Sequence, residues 1–94
     1  MRIKDLLKNK QVSLKFYATK DIKGVLFYNG LGHLIEAPEF NNIIDCFILN
    51  PAAKCIICIS DMKMQMSDLL VDYFSDEEVL DEQKVKQGTY VILG

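Results

Sequence analysis

The sequence predicts an α+β fold, a single small domain covering residues 1 to 94. Three observations predict it. Residues 38 to 50 carry apolar side chains at helical spacing, Asn29-Gly30 separates two short apolar runs as in a β-hairpin, and residues 54 to 60 resemble a fully buried strand. We expect a mixed, mostly antiparallel sheet of four to five strands with two to three helices, in the order α-β-β-β-α-β-α-β.

The composition fits one globular unit. The 94 residues are 50% hydrophobic and 26% charged, and the chain is too short for two independent cores. The richest apolar region, residues 43 to 59, is interrupted by polar groups and is too broken to span a bilayer. Three cysteines and an amino terminus without the features of a secretion signal predict reduced thiols and a cytoplasmic protein.

The first three elements follow from a change of period. Residues 2 to 9 place their apolar side chains on one helical face, which predicts a short amphipathic helix. Residues 12 to 17 then alternate, which predicts a strand with one buried face, and residues 19 to 24 are expected to form a turn. The alternating apolar residues are Val12, Leu14 and Phe16.

A hairpin is predicted at Asn29-Gly30, because both residues tolerate positive φ. A two-residue turn would place Tyr28 opposite Leu31 and make residues 31 to 35 a third strand. Both faces of this hairpin are apolar, so both need to be covered. An uncovered face or edge would favour pairing with a second copy, and we therefore consider a homodimer.

The middle of the chain gives the clearest elements. Pro38 suits the first turn of a helix, and Asn50-Pro51 ends the apolar run, so a helix is expected between them. Residues 54 to 60 have no polar alternation, which is typical of a central strand buried on both sides. The helical apolar positions are Phe40, Ile43, Ile44 and Phe47.

The last third predicts two helical segments and a strand. Ser67 is a candidate N-cap for residues 68 to 74, and Ser75 with Glu78 matches a capping box that would start a second segment through residue 82. Residues 62 to 66 fit either a helix or a strand. A final strand over residues 89 to 93, with a short hairpin from residue 85, completes the fold.

Charge is sorted strongly along the chain. Residues 1 to 24 contain seven basic and two acidic residues, a net charge of +5, whereas residues 61 to 82 contain eight acidic residues and one lysine, a net charge of −7. A field of one sign acts mainly on what a surface meets and how fast it meets it. The pattern therefore favours recognition over catalysis. The competing interpretation is that these charges are solvated and pair with one another within the fold.

We expect a non-enzymatic protein-interaction module or inhibitor that presents an acidic helical surface, residues 61 to 82, to a basic protein. The apolar anchors would be Met64, Tyr73 and Phe74. The acidic rim would consist of Asp68, Asp72, Asp76, Glu77, Glu78 and Asp81. In an extreme form such a surface would imitate the phosphates of DNA and inhibit a nucleic-acid-processing enzyme, by analogy with phage inhibitors of host defence.

Other chemistries are weaker alternatives. Three cysteines and one histidine supply the ligand count for zinc, but residues three apart in a strand point to opposite faces, so Cys55 and Cys58 are poorly placed to share an ion. The basic amino-terminal segment could contact nucleic acid, although it lacks aromatic interleaving. No cofactor loop is present in the sequence, and neither a cofactor nor a membrane is expected. The remaining zinc candidates are Cys46 and His33.

Overall fold

The computed structural model describes residues 1–6, 13–60, 74, 76–86 and 88–94. Within that part of the chain, five strands form one sheet and two helices accompany it, which confirms the α+β class. The elements are α1 (Ile3–Leu6), β1 (Ser13–Asp21), β2 (Gly24–Asn29), α2 (Phe40–Leu49), β3 (Cys55–Ser60), β4 (Val79–Val85) and β5 (Gly88–Leu93).

The sheet has the strand order β2-β1-β3-β5-β4, and every neighbouring pair is antiparallel. β3 lies in the middle, as its uninterrupted apolar sequence predicts, and Ile56, Ile57 and Cys58 are fully buried. β2 and β4 form the two edges. α2 coincides with the predicted helix, and it begins two residues after Pro38.

Each face of the sheet has its own core. We name the faces by the helix that packs on each. The α2-face core consists of Phe16, Ala18, Phe27, Ile43, Cys46, Phe47, Ala53, Ile56, Cys58, Tyr90 and Ile92. The α1-face core consists of Ile3, Leu14, Cys55, Ile57, Ile59, Phe74, Val91 and Leu93. Side chains alternate along β3 and β5 between these two cores, as the period of a strand requires.

β1 differs from its predicted alternation because it contains a β-bulge at Lys15. Leu14 lies opposite Ile59 and Phe16 lies opposite Cys58, so one extra residue occupies β1 between these two pairs. The bulge shifts the period by one residue. Leu14 therefore belongs to the α1-face core and Phe16 to the α2-face core, whereas the sequence pattern predicted one shared face.

The turn predicted over residues 19 to 24 is much shorter. β1 continues to Asp21, β2 begins at Gly24, and only Ile22 and Lys23 connect them. Gly24 has a φ of 127°, a conformation that a residue with a Cβ rarely adopts. The polar composition of this segment suggested a loop, but pairing between β1 and β2 extends both strands into it.

The strand predicted over residues 31 to 35 is wrong. Among the described residues, its one ladder contact is an isolated bridge between Tyr28 and Leu34, so Tyr28 does not face Leu31. The side-chain oxygen of Asn29 accepts hydrogen bonds from the backbone N–H groups of Leu31 and His33, at 2.9 and 3.0 Å. These bonds hold a wider loop in place of the two-residue turn. Two strands therefore precede α2 instead of three.

The helical segment predicted from Ser75 to residue 82 is also wrong, because Val79–Val85 is strand β4. It pairs with β5 from Val79 opposite Leu93 to Val85 opposite Gly88, which confirms the hairpin from residue 85. A capping-box pattern is a local signal, and pairing with the buried strand β5 outweighs it. The helix predicted over residues 68 to 74 lies outside the described residues except for Phe74.

Candidate functional site

The predicted acidic surface is only partly contained in the described residues. Met64, Asp68, Asp72 and Tyr73 lie outside them, so their placement stays a prediction. The other five predicted site residues are described. They are Phe74, Asp76, Glu77, Glu78 and Asp81.

Phe74 is a core residue and does not form an exposed anchor. Its side chain is 3% exposed and belongs to the α1-face core. Its ring meets that of Tyr17 edge to face, with 5.2 Å between the ring centroids. The sequence placed Phe74 among surface anchors because acidic residues follow it. In the structure the Phe74 ring packs in the α1-face core, where burial of an aromatic side chain is favourable.

Asp76 and Glu78 contact the chain's own amino-terminal cations. Asp76 is 80% exposed, and its Oδ1 lies 3.5 Å from Lys4 Nζ and 3.8 Å from Arg2 Nη1. Glu78 Oε1 lies 2.8 Å from the Met1 ammonium. Exposed ion pairs of this kind contribute roughly 0 to 1 kcal/mol each. Asp76 and Glu78 therefore pair with opposite charges within the fold, as the competing interpretation of the charge pattern expects.

The backbone brings those charges together. The Ile3 N–H donates to the Glu77 carbonyl at 3.0 Å, and the Val79 N–H donates to the Met1 carbonyl at 2.6 Å. The amino-terminal segment thus runs beside residues 77 to 79. Ile3 is buried in the α1-face core, which holds the segment in place. Cores and backbone bonds therefore position these ion pairs.

Asp81 lies on a different side of the molecule. It pairs with Ile92 in the β4–β5 ladder, which places its side chain on the α2 face, and its neighbour Glu82 pairs with Val91 and points to the opposite face. Since adjacent strand residues alternate, these two carboxylates cannot share a surface. Of the described acidic residues, Asp81 and Glu82 therefore lie on opposite faces of β4, while the acidic surface as a whole stays a prediction.

The cysteines are divided between the two cores. Cys55 belongs to the α1-face core and Cys58 to the α2-face core, as the spacing of a strand predicts. Cys46 Sγ donates to Gln83 Oε1 at 2.9 Å, and His33 is exposed in the loop after β2. Within the described ranges, no group of three or more His, Cys, Asp or Glu side chains is arranged to hold a metal ion.

Burial governs the thiol chemistry. Desolvation raises the pKa of Cys55 from 9.0 to about 12, and the nearby charge of Glu77 adds to the shift. Desolvation also raises the pKa of Cys46, with smaller contributions from Asp45 and Asp81. Both thiols are protonated at neutral pH, which makes them small apolar side chains and poor nucleophiles.

α2 carries a surface that the acidic-segment hypothesis did not include. Seven of its ten residues are apolar, and only Ile43, Cys46 and Phe47 are buried. Phe40, Ile44 and Ile48 follow one another at intervals of four residues along an outer flank of the helix. Phe40 is 49% exposed, Ile48 68% and Leu49 75%, while Ile44 is half-buried. We call Phe40, Ile44, Asp45, Ile48 and Leu49 the α2 outer surface.

The stretch of sequence that contains this surface is acidic. Residues 34 to 53 contain Glu36, Glu39 and Asp45 and no lysine or arginine. Glu36 and Asp45 are exposed, and Asp45 lies between Ile48 and Leu49 around the axis of α2. The sequence contained this signal, because the apolar residues of α2 span a wider arc of the helix than one sheet face can cover.

An open cleft lies where β1, β4 and the start of α2 meet. Lys15, Glu39, Val85 and Lys86 line it, and its volume is about 310 Å³. Glu39 precedes α2 with φ 52° and ψ 37°, a left-handed conformation that is uncommon for a residue other than glycine. Its carboxylate accepts a hydrogen bond from Tyr90 and lies 3.9 Å from Lys15 Nζ.

The described part of the chain contains no helix long and apolar enough to cross a bilayer. Comparison of the chain with protein-family models, with curated proteins and with solved structures gives no match.

Proposed function

We propose that this chain is a small non-enzymatic protein-interaction module or inhibitor that binds a basic protein partner through the α2 outer surface. The observation that carries the proposal is the exposure of Phe40, Ile48 and Leu49 on a helix whose other side is already packed on the sheet. A helix whose apolar arc is wider than the part packed on its own sheet is normally covered by a further surface. A partner protein would bury the exposed side chains of the α2 outer surface.

The apolar side chains are suited to act as anchors. Fully burying an exposed leucine, isoleucine or phenylalanine stabilises a complex by roughly 1.5 to 3 kcal/mol, which is the scale of an interface hot spot. Phe40, Ile44 and Ile48 form a row that a groove or helix on the partner could contact along its length. Leu49 widens the row at the carboxyl end of α2.

Charge defines the chemistry of the partner. Glu36 precedes α2 in the sequence, Asp45 lies on its exposed side, and residues 34 to 53 contain no lysine or arginine. Complementary charge mainly raises the association rate and excludes wrong partners. A partner with lysines or arginines around an apolar contact would match this surface. The acidic segment, with Met64, Asp68, Asp72 and Tyr73, is the second candidate surface for such a partner.

The test is capture of partners from the native host, followed by affinity measurements with the purified partner. We expect Ile48→Ser/Leu49→Ser to weaken binding at least about tenfold, because it removes two anchors from the interface. Asp45→Asn with Glu36→Gln should slow association and reduce its dependence on salt. Leu80→Ser is the matched control, since Leu80 is an exposed apolar residue that lies on the edge strand β4 and not on α2.

The outcomes separate the two candidate surfaces. Loss of binding in Ile48→Ser/Leu49→Ser, with Leu80→Ser unchanged and all variants equally stable, supports the α2 outer surface. A partner that ignores those substitutions but is lost when Asp68 and Asp72 become their amides would overturn it in favour of the acidic segment. Displacement of the partner by duplex DNA in that second case would favour the DNA-mimic form of the acidic-segment hypothesis.

A further inference from the structure

The cleft beside Glu39 collects charged side chains from three separate parts of the chain. Lys15 comes from the bulge of β1, Lys86 follows the end of β4, and Glu39 precedes α2. A bulge re-aims a side chain relative to a regular strand, and bulges are frequent beside binding sites. Here the bulge residue is the lysine that lines the cleft.

A buried tyrosine holds the Glu39 side chain on one side of this cleft. Tyr90 is fully buried, and its hydroxyl donates a 2.6 Å hydrogen bond to Glu39 Oε1, while the Asn42 side chain also bonds to Tyr90. The carboxylate therefore already has a strong donor at one oxygen. Its other oxygen lies 3.9 Å from Lys15 Nζ, a distance at which attraction remains but a direct hydrogen bond does not.

The two ammonium groups are the charges with donors available to a ligand. A lysine ammonium carries three N–H donors, and it is a frequent phosphate ligand that acts as a point charge. Lys15 is partly buried, with 38% of its side chain exposed, so a contact there would be less screened than one on an open surface. Two ammonium groups match the charge of a dianion better than that of a monoanion.

We propose that this cleft binds the phosphate group of a small molecule, with Lys15 and Lys86 as its ligands. The site is separate from the α2 outer surface, so it does not depend on the proposed protein partner. Glu39 opposes the bound anion by charge repulsion and limits its affinity. This arrangement predicts opposite effects for substitutions on the two sides of the cleft.

The experiment is a titration of the ¹⁵N-labelled full chain with inorganic phosphate at pH 7.5, with sodium chloride adjusted to keep ionic strength constant. We expect saturable shift changes at the amides of Lys15, Glu39 and Lys86. Lys15→Gln and Lys86→Gln should each weaken binding by about threefold or more. Glu39→Gln should tighten it, because the amide oxygen still accepts the Tyr90 bond while the repelling charge is gone.

Lys20→Gln/Lys23→Gln is the matched control, because it removes two positive charges at the β1–β2 turn and none at the cleft. Unchanged phosphate binding in this control supports the proposal. Weakening equal to that of the cleft variants would show a general charge effect and overturn it. Non-saturable shifts, weaker binding in Glu39→Gln, or acetate binding as tightly as phosphate would each overturn it as well.

Discussion

The hydroxyl of Tyr90 donates a 2.6 Å hydrogen bond to Oε1 of Glu39, which lies 51 residues earlier in the sequence. This bond connects the buried strand β5 to the residue from which α2 starts. Burial raises the pKa of Tyr90, and the bond to Glu39 raises it further, so the phenol stays a donor at neutral pH. Glu39 meanwhile keeps a left-handed backbone, which costs about 1 kcal/mol or more and persists only where other contacts hold it.

Tyr90→Phe should lower the free energy of unfolding by about 1 to 2 kcal/mol, because the bond to a charged acceptor is lost. Glu39→Gly removes the same bond but relieves the backbone. It should therefore cost less in the Tyr90→Phe background than in the wild type. Urea unfolding of the four proteins in this double-mutant cycle measures the coupling. Equal costs of Glu39→Gly in both backgrounds would show that the two side chains act independently.

Alkaline pH should destabilise the fold through Cys55. Its pKa is about 12 in the folded protein and near 9 for an exposed thiol, so unfolded chains lose this proton first. The thiol's contribution to stability is fully present below pH 9 and is lost as pH rises toward 12, at up to about 1.4 kcal/mol per pH unit.

Replacing the thiol provides the check on this pH dependence. In Cys55→Ala, unfolding free energies measured under reducing conditions from pH 7 to 11 should fall less steeply than in the wild type. Ile57→Val shortens a buried neighbour on the same face and should lower stability without changing the slope. An unchanged slope in Cys55→Ala would contradict the assigned role of this thiol.

Two isoleucines on α2 should respond very differently to truncation. Ile43 is fully buried on the inner side, and Ile43→Ala should cost about 2 to 5 kcal/mol of unfolding free energy because it leaves a cavity. Ile48 is mostly exposed, and Ile48→Ala should change stability by less than about 0.5 kcal/mol, since alanine is a good helix former. Thermal or urea unfolding of the two variants and the wild type measures both changes in stability. A large cost for Ile48→Ala would mean that the outer surface is already covered within the chain.

Gly88→Ala should disrupt the pairing of β5 with β3. A Cβ on Gly88 would overlap the carbonyl oxygen of Ile59, which is backbone and cannot rotate away. We expect a loss of at least about 1 to 3 kcal/mol and faster amide exchange in both strands.

Gly94→Ala is the control for this substitution, because the atoms nearest to a Cβ there belong to the flexible side chain of Leu80 and not to the backbone. It should be tolerated with a much smaller loss. If Gly88→Ala were tolerated equally well, the close approach of the β5 and β3 backbones at Ile59 would not constrain this position.

The candidate site was harder to predict from the sequence than the fold. Charge counting gave opposite net charges to residues 1 to 24 and residues 61 to 82, but it could not say that Asp76 would meet Lys4 or that Phe74 would fill a core. Burial decides whether an aromatic residue is an anchor or a core residue, and burial depends on packing between distant segments. The α2 outer surface was visible in the helical pattern, but its exposure was decided by how much of the helix the sheet covers.

The sequence by itself determined the elements whose patterns are strong and local. The helical spacing of α2 and the unbroken apolar run of β3 each select one conformation, because period and burial agree within a few residues. The tertiary structure alone decided that residues 79 to 85 form an edge strand and that Lys15 forms a bulge. The edge strand and the bulge both depend on backbone hydrogen bonds to a neighbouring strand. A capping or alternation pattern depends only on residues close together in the sequence, so it contains no information about that neighbour.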